Sequence, residues 1–198
     1  GGSPGGEEIR KLLVSGKPSR WDAETETLLH FAARRDHLFK IIKPALEKGC
    51  WVLSDRYVDS TFAYQGYGHG VSLSVLQDIH NFINDELNPD LTFILDLPVD
   101  KGLARTFRRN KSSKKNSREN RYESMGKEFH NRLRGGYREI AETNPSRCKL
   151  IDARHLPEKV FEDIKNIINF NSIFYSSICA GLNLATICNW SIMGNPNF

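Results

Sequence analysis

The chain has 198 residues, of which 39% are hydrophobic and 26% are charged, and its formal net charge at pH 7 is +4. This composition excludes a collagen, a coiled-coil array and a wholly disordered chain, and the length fits one globular domain with at most an appendage. The modest positive charge permits an anionic ligand without requiring a nucleic acid.

The cysteines and histidines do not form the patterns of a metal site. The four cysteines are scattered without a Cys-x-x-Cys pair, and the six histidines show no metal-ligand spacing. No apolar signal segment opens the chain. We therefore expect a reduced, cytoplasmic protein without a structural metal.

Three short apolar runs predict buried parallel strands, at residues 50–53, 91–95 and 149–151. Each is followed closely by an aspartate: Asp55, Asp96 or Asp152. Helical periodicity marks residues 24–47, 72–87, 124–143 and 157–169. This alternation predicts an α/β fold with a parallel sheet, and ligands bind such sheets beyond the carboxyl ends of the strands.

Polar residues and glycines follow the first predicted strand. Residues 55–70 carry three glycines in their last five positions. A loop whose backbone approaches a ligand has this composition, and so has an ordinary turn-rich connector.

A second candidate segment, residues 101–121, holds nine basic residues against the single acidic residue Glu119. Its polar middle predicts a mobile basic loop that buries no core. Such a run is a solvated charged face, a nucleic-acid contact or a lid that closes over phosphates.

The two ends of the chain differ from its middle. The opening Gly-Gly-Ser-Pro-Gly-Gly reads as the end of a loop, which suggests a truncated chain. Residues 171–198 contain no Asp, Glu, Lys or Arg, and polar residues interrupt their apolar content. They make a poor membrane span, so we expect a non-native tail that does not enter a membrane.

Short motifs occur in a specific order along residues 1–170. They are Gly-Gly-Ser-Pro at 1–4, Glu-Thr-Glu at 24–26, Phe-Ala-Ala-Arg at 31–34, Lys-Pro-Ala-Leu at 43–46, Asp-Arg-Tyr at 55–57, Ala-Tyr-Gln-Gly at 63–66, Asn-Pro-Asp-Leu-Thr at 88–92 and Arg-Tyr-Glu at 121–123. In this order the motifs resemble the thymidylate kinase family, which moves the γ-phosphoryl group of ATP onto dTMP. Residues 171–198 do not share the resemblance.

The resemblance implies a fold and partners. The fold is a three-layer α/β parallel sheet of the P-loop nucleoside monophosphate kinase type, with its first two strands missing from this chain. The partners are dTMP, ATP and Mg²⁺, and the protein is a homodimer to which the second helix contributes. The basic segment becomes a lid at about residues 105–123, and nucleic acid is not a partner.

The resemblance also implies a set of substrate-binding residues: Phe31, Arg34, Arg56, Ser60, Thr61, Tyr64 and Gln65. Arg56 holds the monophosphate by a forked, charge-assisted contact. Arg34 reads the edge of the base. The spacing puts either His30 or Phe31 at the position that stacks on thymine, and we favour Phe31 for its larger apolar face. Tyr64 leaves no room for a 2′-hydroxyl.

Catalytic and ATP-binding roles fall on the basic segment and on the end of the first strand. The resemblance implies that Arg105 and Arg108 approach the ATP, that Arg109 and Arg121 act on the transferring group, and that Asp55 organises Mg²⁺. Positioning, Mg²⁺ and arginines carry most of the catalysis of phosphoryl transfer.

The sequence departs from the family at one motif. The phosphate-binding loop Gly-x-x-x-x-Gly-Lys-[Ser/Thr] does not occur in the 198 residues. We therefore expect this polypeptide alone to bind ATP poorly and to lack measurable dTMP kinase activity, and the three strands to have unpaired edges inside the sheet. The alternatives are another deoxynucleotide or deoxynucleoside kinase of this fold and a basic nucleic-acid-binding module.

Overall fold

The computed structural model describes residues 2–84, 87–112, 121–122, 125–178 and 187–192, with the backbone alone for residues 18, 109–112, 170–178 and 187–192. The strands are β1 (Val52–Asp55), β2 (Leu91–Asp96), β3 (Cys148–Asp152) and β4 (Ile187–Ile192). The helices are α1 (Pro4–Val14), α2 (Ala23–His37), α3 (Lys43–Glu47), α4 (Val58–Thr61), α5 (Leu73–Asn84), α6 (Val99–Ser112), α7 (Lys127–Thr143) and α8 (Pro157–Ile178).

The strands form one parallel sheet in the order β1-β4-β2-β3, which confirms the predicted α/β fold. The side chains of β2 enter two cores on opposite faces of the sheet. Ile94 packs with α7 residues, and Phe93 and Leu95 pack with β3 and α8. A strand covered on both faces reads as a continuous apolar run, which is why the sequence revealed it.

The expectation of three strands with unpaired interior edges is wrong for this structure. The uncharged tail supplies β4, which pairs in parallel with β1 on one side and β2 on the other. The backbone of β4 thereby occupies the space between the edges of β1 and β2.

The first predicted strand is less buried than expected. β1 lies at an edge of the sheet among the described strands, and Trp51 and Leu53 are 65% and 67% exposed. Ser54 is the buried residue of β1. An apolar run therefore predicted the strand correctly but not the burial of its faces, because an edge strand has fewer neighbours.

Helix α2 carries much of the candidate site and continues without a break into α3. Asp22 caps its amino terminus by accepting a hydrogen bond from the Thr25 amide over 2.7 Å. Residues Leu38–Ile42 form a π-helical turn that joins α2 to α3. The predicted helix at 24–47 is thereby confirmed as one continuous helical segment.

The residues after β1 are helical, so the expected loop at 55–70 is corrected. α4 runs directly into a π-helical turn at Phe62–Gly68. The glycines serve close packing, since a Cβ on Gly66 would come within 2.6 Å of Leu73 and one on Gly68 within 2.7 Å of Phe129. Gly70 ends the turn with a φ of +85°, where a side chain would be strained.

The first half of the expected basic loop is also regular structure. α6 extends through Ser112, so residues 101–112 are helical rather than a mobile loop. Residues 113–120 lie outside the described part of the chain. None of the helices in the described ranges is long and apolar enough to cross a membrane.

Candidate functional site

Arg56 stands at the carboxyl end of β1 in a conformation that non-glycine residues rarely adopt. Its φ is 63°, in the left-handed region, which costs a residue with a Cβ roughly 1–2 kcal/mol. The Ser54 hydroxyl donates a hydrogen bond to the Arg56 carbonyl over 3.0 Å and supports this turn. Strained backbone at a strand end is often found at binding sites.

The guanidinium of Arg56 is held against Tyr64. Its Nη2 donates to the Tyr64 hydroxyl over 3.0 Å, and its central carbon lies 4.8 Å from the centre of the Tyr64 ring. Burial opposes the charge of Arg56, but the neighbouring Tyr64, Tyr137 and Asp55 together raise its pKa above the ordinary value. Arg56 is therefore an oriented and permanent cation.

Arg34 approaches the same region from α2. Its Nη2 donates to the Thr61 hydroxyl over 2.6 Å and to the Tyr57 carbonyl over 3.2 Å. Its Nη1 is buried and has no hydrogen-bond partner among the described residues. Burial lowers the pKa of Arg34 to about 10. A buried charged donor without an acceptor is costly, and an acceptor on a ligand would satisfy this atom.

His30 lies among the arginines of the site. Its Nε2 is hydrogen-bonded to the Tyr122 hydroxyl over 2.9 Å. Burial and the charges of Arg34, Arg56 and Arg121 lower the pKa of His30 to about 3. The imidazole is therefore neutral at physiological pH, and the concentration of positive charge around it favours an anionic ligand.

The expectation that Phe31 stacks on a base stays a prediction, and the structure shows its surroundings. Phe31 is 2% exposed and packs in a core cluster with Leu76 and Ile83 of α5. Its ring lies 5.2 Å from the guanidinium carbon of Arg34, and the ring of His30, one residue earlier, lies near Arg34, Arg56 and Arg121. Consecutive side chains on a helix point about 100° apart. His30 and Phe31 therefore face different surroundings, although they are neighbours in the sequence.

Gln65 and Arg121 both bind Glu26, a carboxylate on α2 that is 1% exposed. The Gln65 amide donates to Glu26 Oε1 over 2.7 Å, and Arg121 forms an ion pair with Glu26 Oε2. The Arg121 Nε also donates to the Lys17 carbonyl over 3.3 Å. In this structure both side chains are held by protein groups, and their expected contacts with a substrate stay predictions.

Ser60 and Thr61 contribute hydroxyl groups from α4. The Ser60 oxygen accepts a hydrogen bond from the Tyr137 hydroxyl over 2.9 Å, and the Thr61 oxygen accepts from Arg34. Both residues are buried, at 8% and 2% exposure. Their described contacts orient neighbouring side chains of the site.

The residues expected to bind ATP and Mg²⁺ are exposed. Asp55 is the exposed last residue of β1, and Arg105 and Arg108 are exposed on α6. The side chain of Arg109 lies outside the described residues. No group of three or more His, Cys, Asp or Glu residues that could hold a metal occurs within the described part of the chain.

The sequence interpretation missed Glu26, which helps to build the site. Glu26 lies four residues before His30 and eight before Arg34 on α2, so the three share one face of the helix. That spacing was visible in the sequence. Asp59 forms an ion pair with Arg147, with oxygen–nitrogen distances of 2.7 and 2.8 Å, which joins α4 to the start of β3. No short sequence motif indicated this pair.

Comparisons with known proteins agree with one another. A sequence model of the thymidylate kinase family matches residues 1–164. The thymidylate kinase of Caulobacter vibrioides is 45% identical over 168 residues, or 85% of this chain and 77% of that protein. That of Dinoroseobacter shibae is 43% identical over 83% of this chain and 76% of its own. The crystal structure of thymidylate kinase from Ehrlichia chaffeensis matches with a TM-score of 0.66 at 30% identity, covering 85% and 77% of the two chains.

A parallel α/β sheet with arginines gathered beyond the end of a strand defines a phosphate-binding protein of the α/β class. The comparisons identify which one. The chain belongs to the thymidylate kinase family, whose members are phosphotransferases that phosphorylate dTMP in nucleotide biosynthesis. Its fold is the P-loop nucleoside monophosphate kinase fold, as the order of the sequence motifs implied.

Proposed function

We propose that this chain binds dTMP between α2 and the residues after β1, as the acceptor for phosphorylation to dTDP. The observation that carries the proposal is the buried Nη1 of Arg34, which has no partner in the described structure. A hydrogen-bond acceptor on a bound nucleotide would satisfy this donor. Thymine offers carbonyl oxygens at its edge, so Arg34 binds the base.

Arg56 binds the 5′-phosphate in this arrangement. A guanidinium forms two parallel hydrogen bonds to a phosphate, and the contact of one nitrogen with Tyr64 fixes its direction. The positive potential around His30 extends the attraction for a dianion. Thymidine, which lacks the phosphate, gains nothing from this contact.

Tyr64 restricts the sugar to the deoxy form. The residue is 6% exposed and is packed against the rings of Tyr122, Phe129 and Tyr137, so it cannot move aside for an extra hydroxyl. Ser60 and Thr61 act indirectly on the same side of the site. Ser60 accepts a hydrogen bond from Tyr137, and Thr61 accepts one from Arg34.

The described residues include one suitable ligand for Mg²⁺ and only part of a binding site for ATP. Asp55 is an exposed carboxylate next to Arg56 and is a suitable oxygen ligand for a Mg²⁺ ion bound mainly by phosphates and water. Mg²⁺ supplies charge neutralisation for phosphoryl transfer. The exposed Arg105 and Arg108 are suited to ATP phosphates. The 198 residues contain no glycine-rich lysine loop that would hold these phosphates.

We also propose a homodimer formed through the α2–α5 face, which we define as Leu28 of α2, Phe39 of the π-helical turn that follows α2, and Phe82 of α5. These side chains are 58%, 37% and 87% exposed. Arg35 connects the face, because it stacks 3.3 Å from the centre of the Phe39 ring and donates to the Ile83 carbonyl over 2.8 Å. Exposed apolar surface of this kind is typical of interfaces. Sedimentation equilibrium of Phe82→Asp should show monomers where the unchanged chain shows dimers.

Calorimetric titration tests the proposed nucleotide site. The chain should bind dTMP more tightly than thymidine or dGMP. Arg56→Ala should weaken dTMP binding about 10- to 100-fold, the range for a hydrogen bond to a charged group, while leaving thymidine binding unchanged. Arg154→Ala, which removes an exposed arginine beside Asp152, is the matched control. Equal losses for dTMP and thymidine would contradict the assignment of Arg56.

The expected absence of nucleic-acid binding and the cytoplasmic location stay predictions. A nucleic-acid-binding module would bind arbitrary DNA with a steep dependence on salt concentration. We expect no such binding in a salt titration with duplex DNA.

A further inference from the structure

Glu26 joins three parts of the molecule at one buried carboxylate. It belongs to α2, its Oε1 accepts a hydrogen bond from Gln65 of the π-helical turn, and its Oε2 pairs with Arg121. His69 Nε2 lies a further 3.5 Å from Oε1. The side chains of Glu26 and Arg121 are each 1% exposed. The ion pair is therefore almost completely shielded from water.

Arg121 is followed directly by Tyr122, which contacts the nucleotide site. The Tyr122 hydroxyl is hydrogen-bonded to His30, and its ring meets the Tyr64 ring edge-on with centres 5.2 Å apart. Tyr64 in turn accepts the hydrogen bond of Arg56. A displacement of Arg121 would move Tyr122 away from both His30 and Tyr64.

The geometry of α2 links these contacts. Glu26, His30 and Arg34 follow one another at intervals of four residues, so they lie along one face with about 6 Å of helix between successive residues. Glu26 holds Arg121 at the first position, His30 meets Tyr122 at the second, and Arg34 offers its unpaired nitrogen at the third.

We propose that Glu26 is a positioning residue for nucleotide binding: it fixes Arg121, and through the next residue it places Tyr122 against His30 and Tyr64. Glu26 does not touch the nucleotide. It shapes the wall of the site in which dTMP is bound. This inference rests on the proposed dTMP site, because the wall matters only if the nucleotide lies beside it.

Glu26→Gln is the direct test, since it keeps the size of the side chain and removes the charge that pairs with Arg121. We expect dTMP to bind about tenfold more weakly, measured by calorimetry at a temperature where the variant is folded. Glu26→Asp keeps the charge and should recover part of the affinity. Asp96→Asn is the matched control, because it removes a carboxylate paired with Arg134 and Arg138 elsewhere.

Two further readouts separate positioning from general stability. The pKa of His30, followed by NMR, should rise from about 3 toward its ordinary value in Glu26→Gln, because Tyr122 no longer covers the ring. The variant Tyr122→Phe should weaken dTMP binding, and combining it with Glu26→Gln should add little, since both act through one contact.

The outcomes distinguish this inference from the proposed function. If the unchanged chain does not bind dTMP, the proposed function fails. If it binds dTMP and Glu26→Gln binds equally well with an unchanged His30 titration, the positioning role is overturned. If Glu26→Gln does not fold, Tyr122→Phe decides alone, and unchanged dTMP affinity in that variant overturns the proposal.

Discussion

The Nη2 of Arg34 donates a hydrogen bond to the Thr61 hydroxyl over 2.6 Å, which joins α2 to α4 across the candidate site. The second nitrogen, Nη1, is left buried without a partner in the described structure. A flexible arginine side chain loses rotamer entropy when it is fixed in one orientation. Thr61 therefore prepares Arg34 before a ligand arrives, so that less free energy is lost on binding.

Replacing Thr61 by valine should weaken dTMP binding about tenfold. Valine has nearly the shape of threonine but offers no acceptor, so Arg34 loses a charged hydrogen bond and is oriented only by its longer contact with the Tyr57 carbonyl. Isothermal titration with dTMP measures the change. Thr61→Ser keeps the hydroxyl and should bind close to the original affinity. Equal binding by the valine variant would show that Thr61 does not orient Arg34.

Replacing Tyr64 by phenylalanine should weaken dTMP binding while sparing thymidine. The ring and its packing remain, but Arg56 loses the hydroxyl that accepts its hydrogen bond over 3.0 Å. Discrimination against ribonucleotides should persist, because it depends on the ring. Tyr67→Phe is the matched control, since it removes a tyrosine hydroxyl near Glu139 rather than near Arg56. A loss of equal size in both variants would contradict an orienting role for Tyr64.

Much of the fold could be predicted because its signals are local. The buried run of β2 and the periodicity of α2 each result from the burial of one short segment. The site is harder to predict from the sequence, because its ion pairs join distant residues. Asp59 pairs with Arg147, 88 residues later, and Glu26 pairs with Arg121, 95 residues later. The central position of β4 was missed for a related reason. An uncharged tail does not specify which strands it will pair with.

The choice between His30 and Phe31 shows the limit of reasoning from side-chain type. A phenylalanine offers the better stacking face, but Phe31 meets Leu76 and Ile83 when α2 packs on α5. The neighbouring face of the helix carries His30 and Arg34. Deciding between adjacent residues on a helix requires the direction of its buried face, and α2 is polar enough to leave that direction open in sequence.

His30 should make the protein less stable as the pH falls from about 6.5 toward 3. Its pKa in the folded state is about 3, lowered by burial and by four arginines, whereas the ordinary histidine pKa is about 6.5. Between these values the unfolded chain binds a proton that the folded chain does not, so protonation favours unfolding. The stabilising effect of a neutral His30 is fully present above pH 6.5.

Urea unfolding at several pH values measures this effect. The free energy of unfolding should decrease from pH 7 to pH 4, and His30→Gln should reduce the slope. Part of the slope should remain, because burial also lowers the pKa of His37, His69 and His80. An identical slope for the glutamine variant would show that the pKa of His30 does not differ between the folded and the unfolded chain.

The pairing of β4 between β1 and β2 predicts a selective change in hydrogen exchange. Asn189 lies opposite Ser54 of β1 and opposite Thr92 of β2. A proline there should displace β4, since proline is excluded from strands with partners on both sides.

Among the described strands β1 pairs with β4 alone, so the amides of Val52–Asp55 should exchange faster in Asn189→Pro. The amides of Cys148–Asp152 should keep their protection because β3 pairs with β2. Asn189→Ala keeps the backbone N–H at this position, so its exchange pattern should resemble that of the original chain. Unchanged exchange at Val52–Asp55 in the proline variant would mean that β1 is protected without the tail.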